Sequence, residues 1–232
     1  MDPDDVFAHA VFEVGGIEIY DSVVVTWALL AALAVIFWLA TRRLADAPGY
    51  LQNAMEATIE AVESMVAETT RYDPRHFLPL IVALATFLVA ANVVAILPGV
   101  SAPTRDLNTP VALASIVFVS VHVFGWRLAG PARYLGTYVR PSWILLPFNI
   151  IGEVTRTIAL ALRLFGNMLS GELIVAVLLL LSGLLVPVPM QLFGLLIGFI
   201  QAYVFTLLAM VYIASALGDP VSPSPSPGTT KS

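Results

Sequence analysis

Residues 142–186 form an apolar run of 45 residues with only four charged side chains, Glu153, Arg156, Arg163 and Glu172. At about 1.5 Å per residue, one straight helix over that run would exceed ~60 Å. The hydrocarbon core of a bilayer is only ~30 Å thick. Four more apolar runs accompany it, at about 23–40, 77–97, 109–126 and 191–217. Charged residues make up 12% of the chain, against about 25% in soluble domains. That leaves too little polar surface for a water-soluble globule of this length. The runs are continuous rather than alternating, which points to helices and away from a barrel. The expected fold class is an all-α polytopic membrane protein. It has three roughly perpendicular transmembrane helices, one amphipathic helix on the cytoplasmic side, and a long, strongly tilted C-terminal helical hairpin. Pro187 and Pro189 are expected to mark the hairpin turn, with Ser182-Gly183 starting it.

Arginines orient the chain. Arg42, Arg43, Arg127, Arg133 and Arg140 follow the first and third runs. The positive-inside rule then puts those loops in the cytoplasm. The acidic segment 1–22 and the loop 98–108 fall outside, and residues 23–218 form one integral membrane domain. The segment 47–74 must stay on the cytoplasmic side. Leu51, Met55, Ile59, Val62 and Val66 recur every three or four residues there, with Glu56, Glu60, Glu63 and Glu68 on the other face. That is an amphipathic helix, and its acidic face favours a protein neighbour over anionic lipid. The N-terminus lacks the positive region of a secretory signal peptide. The Pro/Ser-rich tail 219–232 is expected to be disordered and cytoplasmic. With 16 acids, 11 bases and no cysteine, the chain offers no nucleic-acid partner and no thiolate chemistry. No cofactor and no metal are expected. No internal repeat supports an inverted-repeat transporter.

A charge at membrane depth costs at least ~2.5–3.5 kcal/mol, so each one needs a reason. Arg156 lies three residues after Glu153, and the two can pair along one helix face. Glu153 can alternatively wet an access path from the cytoplasm. Arg163 has no acid at i±3 or i±4, and Leu160, Ala161, Leu162, Leu164 and Phe165 surround it. Its guanidinium stays charged, so its anion must come from elsewhere. Asn167 can share its face. Glu172, nine residues on, points to the opposite side of an ideal helix. Gln201 is an amide in the last apolar run and needs partners there. A turn centred near residue 182 brings it level with Arg163, and a turn at Pro187 brings it level with about residue 173. Asp106 and Asn108 are candidates to cap the third run, and Asn92 and His122 to make interhelical hydrogen bonds.

The segment Ala159-Leu160-Ala161-Leu162-Arg163-Leu164-Phe165-Gly166-Asn167-Met168, followed by Gly171-Glu172, closely resembles the signature of subunit a of F-type ATP synthases. Gln201-Ala202-Tyr203-Val204-Phe205 reinforces the resemblance, as do Asn92, Leu97-Pro98-Gly99 and residues 103–108. The resemblance covers about residues 77–217. It implies a membrane stator facing the c ring, with b subunits of the peripheral stalk, the rest of the F1Fo complex and membrane lipid as further partners. It implies two aqueous half-channels that couple proton or Na⁺ flow to ring rotation, in a bacterial or archaeal cell membrane. The chain itself would hydrolyse no ATP. Arg163 would be the essential coupling arginine. Asn167 and Gln201 would be its polar neighbours. Glu172, Asp106 and Asn108 would line the outer path, and Glu153 the cytoplasmic one. Two positions depart from the family pattern. Gly194 stands where many members carry a His or an acid, and Thr157 where many carry a Pro.

A stand-alone secondary transporter or channel is the main alternative. It would need its own balancing charge for Arg163. An intramembrane serine protease would need a histidine after Ser170, yet His9, His76 and His122 all precede it.

Overall fold

The computed structural model describes residues 10–14, 17–42, 50–69, 76–96, 102–104, 106–139, 143–182 and 186–217. A two-stranded antiparallel ribbon comes first, β1 (Ala10–Val14) paired with β2 (Ile17–Tyr20) in the register Val14↔Ile17 and Phe12↔Ile19. The expectation of helices alone omits this ribbon, which precedes the helical domain. Among the described residues seven α-helices follow: α1 (Asp21–Arg42), α2 (Tyr50–Thr69), α3 (Leu78–Val94), α4 (Asn108–Phe124), α5 (Pro131–Val139), α6 (Leu146–Ser182) and α7 (Pro187–Leu217).

Four described helical segments are long and apolar enough to cross a membrane: Asp21–Arg42, Asn108–Ala129, Trp143–Leu181 and Pro187–Leu217. α3 is shorter and equally apolar. Its 17 residues span about 25 Å at the helical rise. It is enclosed by α7, α2 and α1 and buries Ile81, Leu84, Phe87, Leu88 and Ala91. α6 and α7 have 37 and 31 residues, and so reach about 55 Å and about 46 Å. Both exceed the hydrocarbon thickness, so each must lean or protrude.

The amphipathic segment forms α2. Val62 and Val66 are buried, Ile59 and Met65 pack against the core, and Glu56, Glu60 and Glu63 are exposed. The helices that α2 contacts are this chain's own α3, α7 and α1. α6 ends at Ser182 and α7 begins at Pro187, so Ser182 and Pro187 bound the break between the two helices. Pro187 and Pro189 themselves lie in the first turn of α7, where a missing backbone N–H costs nothing. The tail 219–232, Arg43 and Arg140 lie outside the described residues.

The core runs along one face of α7: Ala202, Phe205, Ala209, Met210, Ile213 and Leu217, a helical repeat packed on α3 and α4. Asn92 fastens this contact. Its Nδ2 donates to the carbonyl of Leu88 on its own helix and to that of Gly198 on α7, both at 2.9 Å. This is the interhelical bond expected for Asn92. Gly198 makes room for it, since a Cβ there would sit 2.5 Å from Asn92 Oδ1 and 2.7 Å from Cγ.

Gly198→Ala should therefore destabilise the assembled protein by about 1–3 kcal/mol through overpacking. Asn92→Ala alone should cost about 0.6–1.7 kcal/mol. Asn92→Ala should also remove most of the Gly198→Ala penalty, which a thermal-melting double-mutant cycle would read as a large coupling energy. Additive losses would show that the two residues do not touch.

Candidate functional site

α6 carries the charges in two distinct settings. The first is where α4 ends and α6 begins. A π-helical turn (Gly125–Ala129) continues α4, and the chain reverses at Gly130 (φ 81°), folding α5 back onto the bundle. Tyr134 is buried against Gly125, where a Cβ would come within 2.5 Å of its ring. The Tyr134 and Tyr138 hydroxyls lie 2.8 Å apart, one helical turn from each other. Tyr138 O–H donates to Glu153 Oε2. Its proton is thereby committed, so Tyr134 O–H donates to Tyr138. The other carboxylate oxygen, Oε1, faces His122 Nδ1 at 3.7 Å. His122 Nδ1 is also 2.8 Å from the Phe118 carbonyl. A carbonyl only accepts, so Nδ1 carries the hydrogen. Asn149 Nδ2 ties α6 to α5 by donating to the Tyr138 carbonyl at 2.9 Å.

Glu153 and Arg156 do not pair as expected. Glu153 is taken by Tyr138 and His122, while the Arg156 guanidinium lies 5.7 Å from the Tyr212 ring centre. Tyr138, Asn149, Glu153, Arg156 and Tyr212 line a cavity of about 330 Å³. His122 stands behind the carboxylate. The interhelical hydrogen bond expected of it is not made: its Nδ1 bonds within its own helix, and Glu153 on α6 lies 3.7 Å away.

The second setting is the outward face of α6. Ile158, Leu162, Leu173, Ile174 and Val177 are exposed there, and Arg163 is exposed among them. Among the described residues Arg163 has no ion pair and no hydrogen bond. Ala161, about 160° around the helix from Arg163, is buried against the bundle together with Leu160 and Leu164. Asn167 and Glu172 are half-buried. On α7, Gln201 Nε2 is buried without a hydrogen-bond partner among the described residues. Exposed Ile200 and Tyr203 flank it. The helix ends at Ser182 and Pro187 centre the turn near residue 184, between the two positions the sequence leaves open. Equal rise along both helices brings Gln201 level with about residue 168, roughly 7.5 Å along the axis from Arg163.

Asp106 and Asn108 stand apart from these settings. Asp106 accepts a hydrogen bond from Ser22 Oγ at the start of α1. Asn108 is exposed in the first turn of α4, whose N-cap, Leu107, makes no side-chain cap bond. The expected capping role is therefore not filled by either. At Gly194 a Cβ would meet nothing within 4 Å, so packing does not demand the glycine.

This arrangement defines a polytopic helical membrane protein that displays a cation, unpartnered among the described residues, on an apolar face, with a polar cavity at one end. A family model for the ATP synthase A chain matches residues 23–214. Subunit a 2 of the ATP synthase of Bradyrhizobium sp. is 46% identical over 208 residues, 90% of this chain and 93% of that protein. Subunit a 1 from Hahella chejuensis is 42% identical, over 92% of this chain and 91% of its own length. The ATP synthase subunit a of Albidiferax ferrireducens is 40% identical over 98% of both chains. The chain belongs to the subunit a family of F-type ATP synthases. It is an integral membrane component of Fo, within the F1Fo complex that contains the c ring. A stand-alone transporter, channel or protease is thereby set aside.

The two tyrosines of α5 lie outside the membrane-spanning segments. Burial pushes both hydroxyls above the ordinary value of 10.0, and for Tyr138 the hydrogen bond to Glu153 adds to it. Above about pH 10 the unfolded chain gives up these protons while the folded chain keeps them, so the fold loses stability as pH rises. Melting temperatures of the purified complex should fall from about pH 10 upward, and less steeply in the double variant Tyr134→Phe/Tyr138→Phe. Equal slopes would mean that these hydroxyls are solvated.

Proposed function

We propose that this subunit is the stator that passes ions to and from the c ring, with Arg163 as the coupling residue. The observation that carries this reading is the exposed Arg163 guanidinium, without an acidic partner among the described residues, on the apolar face of α6. Lipid cannot face such a charge cheaply. Charge complementarity calls for a carboxylate on a neighbouring protein, and the c ring belongs to the same complex. A carboxylate arriving at Arg163 ionises, because a fixed cation in low dielectric favours the charged form. Moving away into lipid, it must take up an ion again.

The axial spacing supports separate access from each side. Glu153 and Glu172 lie on opposite sides of Arg163 along α6. At the helical rise Glu153 is about 15 Å from it. By the same rise Glu172 is about 13 Å away in the other direction. In our reading the cavity at Glu153 is the cytoplasmic half-channel, reaching about half the hydrocarbon thickness. Glu172 serves the outer one, with Asp106 and Asn108 nearer its mouth. Asn167 and Gln201 are polar neighbours of Arg163. The positive charge of Arg163 also repels a bare cation passing directly between the paths. The driving potential contributes about 2.3 kcal/mol per charge per 100 mV. The carried ion is a proton or Na⁺, a choice that rests mostly with the ring. The arginine-rich loops put the cavity end in the cytoplasm, with segment 1–22 outside and the tail 219–232 inside. The exposed acidic face of α2 is offered to the b subunits of the peripheral stalk, and the outer apolar faces to lipid.

Arg163→Ala in the assembled complex should abolish ATP-driven ion pumping by inverted membrane vesicles and raise passive ion leak in the same vesicles. Pumping near the wild-type level, with the complex intact, would sink the assignment.

A further inference from the structure

Residues 125–145 hold three arginines, Arg127, Arg133 and Arg140, and no acid, in a chain whose net charge is −5. Coupling at Arg163 uses none of them. We propose that the corner where α4 turns through α5 into α6 binds anionic phospholipid: Arg127 and Arg133 take the headgroup phosphate, and exposed indoles lie against the acyl chains. The site stands apart from the ion path and does not depend on it.

Depth, surface and charge agree here. The apolar span Asn108–Ala129 ends at this corner, and the span Trp143–Leu181 begins at it. The corner thus lies at the edge of the hydrocarbon, where headgroups sit. Trp126 is 58% exposed, Leu135 56% and Trp143 76%. Tryptophan settles at that boundary because its ring is apolar and its N–H is polar. Arg127 follows Trp126 directly, is exposed, and has no ion pair among the described residues. Arg133 is exposed one residue before the buried Tyr134.

The fold gathers these groups. The π-helical turn that carries Trp126 and Arg127 touches α5, and α5 touches the 3-10 turn Trp143–Leu145. α5 is fixed to the bundle by the buried Tyr134 ring and by the Tyr138 bond to Glu153, while Arg133 and Leu135 flank Tyr134 and stay exposed. A helix buried on one side, with a cation and a leucine on its flanks, suits the plane of the membrane interface. The occupant follows from this mixture. An acidic protein segment would answer the arginines and leave Trp126 and Trp143 in water. A zwitterionic lipid brings its own cation to the phosphate. An anionic phospholipid answers both needs, since a guanidinium can take two phosphate oxygens at once and an anionic surface attracts arginines.

The test places the whole complex in phosphatidylcholine vesicles with increasing fractions of brominated phosphatidylglycerol or brominated phosphatidylcholine, both of which quench indole fluorescence on contact. Each background is read against its own Trp126→Phe/Trp143→Phe counterpart, which isolates this corner. The wild type should prefer phosphatidylglycerol there, and Arg127→Gln and Arg133→Gln should each lower that preference about fivefold. Arg127→Lys/Arg133→Lys keeps the charge and should keep most of the preference. Equal quenching by the two lipids, or a preference that Arg127→Gln/Arg133→Gln leaves unchanged, overturns the proposal. So does quenching by neither, which would place another subunit over the corner. Inorganic phosphate at matched ionic strength should not reduce the preference, and competition by it would assign the arginines to a free anion instead. Co-purification of the c ring checks assembly. Should the glutamine variants fail to assemble, the wild-type preference must still fall as salt screens the arginines, and a salt-independent preference overturns the proposal. Arg163→Ala bears on the coupling role alone.

Discussion

An uncompensated guanidinium on an apolar face is the constraint around which this molecule is arranged. Arg163 cannot shed its proton, and leaving it in hydrocarbon costs several kcal/mol. Soluble proteins meet such a cost with a local acid. Here both acids of α6 are held away from it by their distance along the helix, and Glu153 meets Tyr138 and His122 instead. In the proposed mechanism the charge is thereby kept available to a partner that comes and goes. A permanent salt bridge within the chain would remove that availability, because a guanidinium already paired in low dielectric has little to offer a second carboxylate.

Keeping a charge unpaired demands that the rest of the bundle hold α6 firmly. Leu160, Ala161 and Leu164, close to Arg163 along the helix, are buried, and α6 packs against both α4 and α7. α7 is anchored in turn by its long buried stripe and by the Asn92–Gly198 contact. That contact lies less than one helical turn from Gln201, so the amide's depth follows from the α3–α7 packing. Gln201 Nε2 is, like Arg163, without a partner among the described residues, and a buried amide calls for one.

Much of this was legible in the sequence. Long apolar runs specify spans because no other backbone arrangement of continuous apolar residues satisfies itself in lipid. The isolation of Arg163 follows from reading i±3 and i±4 neighbours. The stripe on α2 and the interhelical bond of Asn92 follow from periodicity and from the cost of an unpaired amide. What escaped was whatever depended on contacts between distant segments. Glu153 and Arg156 are spaced for a helical pair, yet Tyr138 and His122, both well upstream on other helices, bind the acid more closely. Tyr134 and Tyr138 carry no signal of their own in the sequence, since their approach to Glu153 requires the π-helical turn and the reversal at Gly130 that fold α5 back. The prolines at 187 and 189 look like a turn because proline breaks helices in their interior, but the same residue begins a helix without penalty. Asp106 looks like a cap, yet Ser22 supplies it a donor from across the chain.

Gly194 shows how the two ends of the proposed proton path differ. At the Glu153 end the carboxylate is gripped by two ring-bearing side chains from α4 and α5, and its surroundings are set by packing. On the other side of Arg163 the chain offers a glycine with open space where a Cβ would stand. Gly194 itself neither narrows the route nor supplies a second titratable group. Passage there falls to Glu172 and to water, whereas passage at the Glu153 end depends on groups whose direction is fixed. A carrier that meets a loosely bounded path on one side and a closely held carboxylate on the other exchanges its ion under unequal control.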